Sequence, residues 1–143
     1  MLRTGDDYRE SIRDGREVWM NGERVHDVTT HPAFKPLVDA RARIYDMAHE
    51  SGYLDVMSYI DEESGDPSAV ALKLPHTRED WQDKRKAVDT VFNDLGGVVT
   101  RVGDETIGEM WSLYDGQDVL NEVDPRFSVN IRNHVRKAIH RDP

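Results

Sequence analysis

The sequence predicts a mainly α-helical domain that carries one small β-hairpin. Two Thr-x-x-Asp patterns, each just ahead of apolar residues at helical spacing, are typical of capped helix starts. The dipeptide Asn21-Gly22 is typical of a two-residue hairpin turn, because a type I′ turn needs positive φ at both central positions. A chain of 143 residues is long enough to bury one core, so we expect a single domain over residues 1–143.

The first predicted element is a short polar helix. Thr4 and Asp7 have the spacing of a capping box, in which each side chain bonds the other residue's backbone N–H. Gly15 can end this helix, because glycine readily adopts the left-handed conformation found just beyond helix ends.

The hairpin comes next, with strands at residues 17–20 and 23–25 on either side of its turn. A two-stranded hairpin is barely stable alone in water. We therefore expect Trp19 and Val25 to pack on the helices.

The middle of the chain predicts a core helix over residues 37–48, an exposed acidic loop at residues 61–67, and a strand at residues 69–74 that Pro75 stops. The apolar residues of the core helix share one side. They are Leu37, Val38, Ile44, Tyr45 and Ala48.

The best-defined helix starts at the second capping box, formed by Thr77 and Asp80, and ends at Gly96-Gly97. Its apolar stripe consists of Trp81, Val88, Val91, Phe92 and Leu95.

Two further helices complete the prediction. One covers about residues 104–114, and the last begins at Asp124-Pro125, a good N-cap and first-turn pair. The apolar positions of the last helix are Phe127, Ile131, Val135, Ala138 and Ile139.

The charge distribution limits the possible partners. Nineteen Lys and Arg against 28 Asp and Glu give a net charge of −9, which argues against binding nucleic acid or an anionic membrane. The C-terminal residues are locally basic, with Arg126, Arg132, Arg136, Lys137 and Arg141. This basic segment is either a solvated helix face or a docking surface for a partner or a phosphate-bearing cofactor.

Self-contained catalytic motifs are missing from the sequence. The chain has no cysteine, so Cys-ligated zinc and iron–sulfur clusters are excluded. Its six histidines are scattered, and His134 and His140 do not share a helix face, so no metal site is predicted. No apolar run is long enough to span a membrane, and we expect a cytoplasmic location.

The most informative stretch is Arg13-Asp14-Gly15-Arg16-Glu17-Val18-Trp19-Met20-Asn21-Gly22-Glu23-Arg24-Val25, followed by Asp27-Val28-Thr29-Thr30-His31-Pro32-Ala33-Phe34. With Arg3-Thr4-Gly5-Asp6-Asp7-Tyr8 ahead of it, it resembles the N-terminal segment of the 4-hydroxyphenylacetate 3-monooxygenase family. A fainter similarity continues through Ile44-Tyr45-Asp46 and the final helix. It covers nearly the whole chain, but only the N-terminal portion of a family member.

This resemblance implies an architecture similar to acyl-CoA dehydrogenases, in which an N-terminal helical domain precedes a β-barrel and a C-terminal helical bundle. The barrel and the bundle are absent from this sequence. We expect a small subunit that forms part of the substrate pocket against a large flavin-binding subunit in a hetero-oligomer, and that is inactive alone. The alternatives are a non-catalytic assembly or regulatory module and a fragment of a full-length monooxygenase.

The resemblance also implies the chemistry. A separate NAD(P)H-dependent flavin reductase supplies reduced FAD, which the partner mainly binds, and an aromatic substrate is hydroxylated. Family members hold the phenolic hydroxyl with an Arg and, a few residues on, a Tyr. Here Arg101 and Asp104 match that loop, while Glu105 stands where the Tyr is expected. Glu105 could accept a hydrogen bond or act as a base if desolvated.

A sister group, the 4-hydroxybutyryl-CoA dehydratases, has a similar opening at Arg24-Val25, His31-Pro32 and Pro36. Those enzymes take cluster cysteines from this domain. A chain without cysteine cannot supply them, so the resemblance favours oxygen-using flavin chemistry.

Overall fold

The computed structural model describes residues 2–97 and 104–141, which form a mainly helical fold with two small antiparallel hairpins. The predicted fold class is confirmed. The elements are α1 (Gly5–Ser11), β1 (Val18–Met20), β2 (Glu23–Val25), α2 (Lys35–Met47), α3 (Leu54–Met57), β3 (Ser58–Ile60), β4 (Pro67–Ala69), a 3₁₀ helix (Val70–Leu72), α4 (Arg78–Asp94), α5 (Asp104–Asp115), α6 (Gln117–Val123) and α7 (Arg126–Arg141).

The chain divides into two compact units. The N-terminal unit is Arg3–Leu54, and the C-terminal unit contains the described residues from Asp55 onward. The expectation of a single domain over residues 1–143 stays a prediction. Among the described helices, none is both long and apolar enough to cross a bilayer.

The N-terminal unit packs α1 against α2. The capping box of Thr4 and Asp7 is formed as predicted. The backbone N–H of Gly5 donates to the Asp46 carboxylate at 2.7 Å, and Tyr8 stacks on Tyr45 with ring centroids 5.3 Å apart. The opening residues of the chain are thus fixed to the last turn of α2.

The end of α1 differs from the prediction. The helix stops at Ser11, where the N–H groups of Ile12 and Arg13 bond back to Tyr8 and Glu10. Gly15 does adopt a positive φ of 79°, but it serves the loop that leads into the hairpin rather than the helix end.

The predicted hairpin is present, with Met20 paired to Glu23 across the turn. Asn21 and Gly22 have φ of 52° and 84°, as a type I′ turn requires. Arg13 braces the base of the hairpin, because its guanidinium donates to the Asp27 carboxylate at 3.2 Å and to the Thr29 hydroxyl at 2.7 Å. The most informative stretch of the sequence therefore forms a hairpin, and side chains on either side of it bond each other across its base.

The expectation that Trp19 and Val25 pack together on the helices was half wrong. Val25 is buried, but Trp19 is 60% exposed. The register explains the difference, because Val25 lies opposite Val18 whereas Trp19 lies opposite Arg24. Neighbouring residues of a strand point to opposite faces, so Trp19 points away from the face that Val25 buries.

Helix α2 is the core helix that the sequence predicts, with one correction. Val38, Ala42 and Tyr45 are buried along one stripe, together with Ile44, Met47 and Ala48. Leu37 is 63% exposed, so its placement in the core was wrong. It lies in the first turn of α2, about 100° around the helix from Val38.

The C-terminal unit opens with a second hairpin. β3 pairs with β4, and the predicted exposed loop forms its turn. The strand predicted at residues 69–74 was wrong, because pairing ends at Ala69, opposite Ser58, and the chain then enters the 3₁₀ helix. Ala69 pairs with Ser58, the first residue of β3. In the part of the chain that the structure describes, no further strand pairs with residues 70–74. Val70 and Leu72 are nevertheless buried.

Helix α4 has the predicted start and end. The capping box of Thr77 and Asp80 is formed. Gly96 and Gly97 both have positive φ, and the N–H of Gly97 bonds the carbonyl of Phe92 at 2.7 Å, which is the Schellman pattern.

The buried face of α4 is displaced from the predicted stripe. The buried residues are Asp80, Lys84, Ala87 and Val91, whereas Trp81 is 53% exposed. A hydropathy pattern missed this face because two of its four members carry a charge.

Helices α5 and α7 match their predictions, and α6 was not predicted. Helix α6 has only seven residues, and none of them is buried. On α7, Ile131 and Val135 are buried as expected, but Phe127 is 43% exposed. The Asp124 carboxylate accepts from the Arg126 N–H at 2.9 Å at the start of α7, as an N-cap residue does.

Candidate functional site

Two of the three predicted substrate contacts lie at the start of α5. Asp104 and Glu105 are its first two residues, and their side chains are not among the parts that the structure describes. Arg101 lies outside the described residues. The roles of these three residues therefore stay predictions.

A cleft of about 590 Å³ lies in the C-terminal unit. Its walls come from the β3–β4 hairpin, from the segment between the 3₁₀ helix and α4, from α5 and from α7. We call it the Tyr59 cleft. Its main polar lining residues are Tyr59, Lys73, Asp80, Tyr114, Arg132 and Arg136.

Local folding brings these groups together. The capping box turns Asp80 back over the residues that precede α4, where its carboxylate accepts from the N–H groups of His76 and Thr77 at 2.9 and 2.8 Å. The ammonium of Lys73 lies 2.5 Å from the same carboxylate and 5.4 Å from the centroid of the Tyr59 ring.

The pKa values of Asp80 and Tyr59 in the cleft depart from their ordinary range. The hydrogen bond from Lys73, aided by those from His76 and Thr77, holds the pKa of Asp80 well below that of a free carboxyl. Burial, with a smaller contribution from the Asp61 charge, raises the pKa of Tyr59 to about 12. Asp80 is therefore a permanent carboxylate and Tyr59 a neutral phenol at physiological pH.

The cations of the cleft are already engaged. Lys73 bonds Asp80, Arg132 donates to the Gln117 side-chain oxygen at 2.8 Å, and Arg136 lies 2.8 Å from Glu63. FAD, the cofactor that the resemblance implies, carries a pyrophosphate that such cations would have to bind. Because these three cations already have partners, we assign none of them to FAD.

A second open cleft, of about 770 Å³, shares Leu74, His76 and Tyr114 with the first. Trp81 of α4 and Trp111 of α5 form its aromatic wall. Their rings meet edge to face, with centroids 5.1 Å apart. Among the side chains that the structure describes, at residues 2–97 and 110–141, no group of His, Asp and Glu is arranged to hold a metal ion.

Comparison with known proteins identifies the family to which the chain belongs. Residues 4–143 match the family model described as the N-terminal part of 4-hydroxyphenylacetate 3-hydroxylase. The chain belongs to this hydroxylase family. The resemblance drawn from the opening residues is confirmed, and the chain corresponds to the N-terminal domain of these flavin monooxygenases.

Curated relatives from the hydroxylase family support the same conclusion. The 4-nitrophenol 2-monooxygenase oxygenase component of Rhodococcus sp. is 62% identical over 102 residues, which are 71% of this chain and 20% of that protein. The 4-hydroxyphenylacetate 3-monooxygenase oxygenase component of Thermus thermophilus is 31% identical over 137 residues, which are 95% of this chain and 27% of that protein. The chain thus spans less than a third of the length of these relatives.

Solved structures agree with the sequence comparison. The oxygenase component HpaB of 4-hydroxyphenylacetate 3-monooxygenase, complexed with FAD and 4-hydroxyphenylacetate, superposes with a TM-score of 0.83 at 29% identity. The match covers 98% of this chain and 28% of that one. An archaeal 4-hydroxybutyryl-CoA dehydratase has the same TM-score at 23% identity, which supports the fold alone. A further relative, from Burkholderia cepacia, is a FADH2-dependent monooxygenase that is 33% identical over 94 residues.

The sequence identifies Asp80 only as a capping residue. It predicts no role for Lys73, Tyr59 or Lys84. The one available signal was the polar character of position 84 on an otherwise periodic helix. The partners of these side chains are set by tertiary packing, which no local pattern in the chain reports.

Proposed function

We propose that this chain forms one wall of the substrate pocket in a FADH2-dependent aromatic monooxygenase, with Arg101 as its contact to the phenolic oxygen. The family match over residues 4–143 carries the proposal. It is supported by the superposition on an oxygenase component whose structure holds both FAD and an aromatic substrate.

The proposed substrate class is a nitrophenol. The support is the 62% identity with a 4-nitrophenol 2-monooxygenase oxygenase component. A nitro group withdraws electrons from the ring and makes the phenol ionise readily, so the substrate presents an anionic oxygen. A guanidinium suits such an oxygen because it offers a fixed charge and several N–H donors. Asp104 and Glu105 would complete the polar end of the pocket, with Glu105 in place of the expected tyrosine.

The remaining parts of the enzyme are proposed to come from a larger subunit. That subunit would bind most of the FAD, which an NAD(P)H-dependent flavin reductase keeps supplied in reduced form, and the hetero-oligomer would lie in the cytoplasm. When bound, reduced flavin supplies the oxygen activation. The exposed apolar residues are consistent with such a partner, since large apolar side chains on a surface often mark contact sites. The most exposed are Trp19, Leu37, Ile60, Val119 and Val123.

The task proposed for this chain is binding and orientation. Holding the phenolic oxygen fixes which ring carbon faces the flavin, and closing one side of the pocket excludes water from the reaction. Neither task requires a catalytic acid, base or nucleophile from this chain.

A second candidate is a non-catalytic assembly or regulatory module. The presence of Glu105 where the family has tyrosine favours it. The third is that the sequence forms part of a longer monooxygenase polypeptide. The intact mass of the protein isolated from its host separates the third candidate, because a separate small subunit has a mass of 16.4 kDa and a full-length enzyme is several times heavier.

Arg101→Ala tests the pocket role directly. Losing a charge-assisted hydrogen bond is expected to raise the KM for 4-nitrophenol at least ~10-fold in the assembled enzyme. Arg85→Ala is the matched control, because Arg85 is exposed on α4 and is paired only loosely with Asp89 at 3.8 Å. Equal KM values for the two variants would contradict the pocket role.

A further inference from the structure

Lys84 is a buried lysine in the middle of α4. Only 6% of its surface is exposed. Its ammonium donates to the carbonyl oxygens of Val70 and Ala71 at 2.8 and 2.9 Å. A buried charge is tolerated only where dipoles or opposite charges replace water, and these carbonyls of the 3₁₀ helix supply part of that replacement.

Another part comes from α5. The Lys84 ammonium lies 4.3 Å from the centroid of the Trp111 ring, which is within cation–π range for a tryptophan face. Trp81, one turn earlier on α4, meets the same ring edge to face. Trp111 is thus held by two side chains of α4, and Lys84 links α4, α5 and the 3₁₀ helix at one point.

The position of Trp111 on α5 explains how its contact with Lys84 affects the first turn of that helix. Trp111 lies seven residues after Asp104, which is about two helical turns or ~10 Å along α5. An α-helix is stiff over that distance, so fixing Trp111 restrains the direction of α5 and the place of its first turn. That turn carries Asp104 and Glu105 and follows Arg101 by three residues.

We propose that Lys84 is a positioning residue that sets the place of the first turn of α5 through Trp111. Lys84 does not touch substrate. Its ammonium orders Trp111, and Trp111 orders the segment to which the substrate contacts are assigned. The link to catalysis rests on the proposed function, whereas the link to α5 is a property of this chain alone.

Amide hydrogen exchange of the 143-residue chain tests the structural link. Lys84→Met keeps the apolar stem but removes the ammonium, and Lys86→Met is the control because Lys86 is exposed on the same helix. We expect amides of residues 105–110 to exchange ~10-fold faster in Lys84→Met, with those of α1 and α2 unchanged. A uniform rise over the whole chain, or no change in α5, would overturn the proposal.

Trp111→Leu provides a second variant: where Lys84→Met folds, the two substitutions are combined, and where Lys84→Met does not fold, Trp111→Leu alone is expected to speed exchange of residues 105–110 ~10-fold. It leaves the carbonyl partners of Lys84 in place and removes only the ring. If Lys84 acts through Trp111, the double variant exchanges in α5 no faster than the single Trp111→Leu variant. An additive effect of the two substitutions would overturn the proposed route.

A kinetic measurement separates this proposal from the proposed function. In the assembled enzyme, Lys84→Met is expected to raise the KM for 4-nitrophenol ~10-fold and to leave kcat within about twofold. If Arg101→Ala raises KM and Lys84→Met does not, the positioning role fails and the proposed function stands. If neither variant changes KM, the proposed function fails, and hydrogen exchange alone decides whether Lys84 places α5.

Discussion

At Gly5 the fold leaves no room for a side chain. A Cβ at this position would lie 2.6 Å from a carboxylate oxygen of Asp46 and 2.7 Å from the backbone oxygen of Ala42. The close approach also allows the Gly5 N–H to bond Asp46. The need for glycine follows from contact with α2, 41 residues away along the chain, and the local sequence alone does not reveal it.

Gly5→Ala is therefore expected to lower the free energy of unfolding by ~2 kcal/mol, because either α1 or the α2 backbone must shift. Gly52→Ala is the control in the same unit, since a Cβ there meets nothing within 4 Å. Urea unfolding of both variants measures the difference. Equal stability of the two variants would show that α1 does not sit on α2 as described.

Asp80 is a residue whose role the sequence predicted in part. The capping box is local, so Thr77 and Asp80 reveal it by their spacing. The pairing with Lys73 depends on how the chain turns ahead of α4, and no pattern encodes it. Lys84 shows the same limit, because its carbonyl partners lie 13 and 14 residues away.

Asp80→Asn gives a pH-dependent loss of stability. The folded-state pKa of Asp80 is lowered, so its carboxylate stabilises the fold above the unfolded pKa of about 4, and this contribution disappears as pH falls through the folded-state pKa. We expect a loss of ~2 kcal/mol at pH 7 that shrinks below about pH 4. Chemical unfolding across pH measures it, with the exposed Asp83→Asn as control. A difference that is independent of pH would refute the ion-pair explanation.

At the scale of elements, the starts of α1 and α4, the end of α4 and the hairpin turn were predictable, whereas the end of α1 and the buried faces of elements were less so. Capping boxes, Asn-Gly and Gly-Gly act within a few residues, and all of them were found where the sequence places them. The face that an element buries depends on its neighbours. For this reason Trp19, Leu37 and Trp81 were assigned to the core although each is more than half exposed. Helix α6 escaped prediction because its seven residues are too few to show a clear helical period.

The hairpin register yields a paired prediction. Trp19→Ser is expected to change the free energy of unfolding by no more than ~0.5 kcal/mol, because the ring is mostly in solvent. Val25→Ser is expected to cost ~2 kcal/mol, because it places a hydroxyl on the buried face. Thermal or urea unfolding of the two variants distinguishes them. A larger loss for Trp19→Ser than for Val25→Ser would mean that the register is shifted by one residue.

At the scale of the whole molecule, family membership and fold class were predictable from the opening residues and the helix pattern. The substrate contacts were not tested by the structure, because Arg101 lies outside the described residues and the side chains of Asp104 and Glu105 are not described. The division into two units was also not predicted, because the sequence around the boundary at Leu54 and Asp55 is not a Pro- or Gly-rich linker.

We propose that this chain supplies the substrate-facing wall of an aromatic monooxygenase. The most direct measurement is hydroxylation of 4-nitrophenol by the flavin-binding polypeptide recovered with the tagged chain, supplied with reduced FAD and assayed with and without the chain. We predict that product forms only when the chain is present, and that the Arg101→Ala chain restores product formation with a raised KM. Equal product formation without the chain, or an unchanged KM for Arg101→Ala, would contradict the proposed role in the substrate pocket.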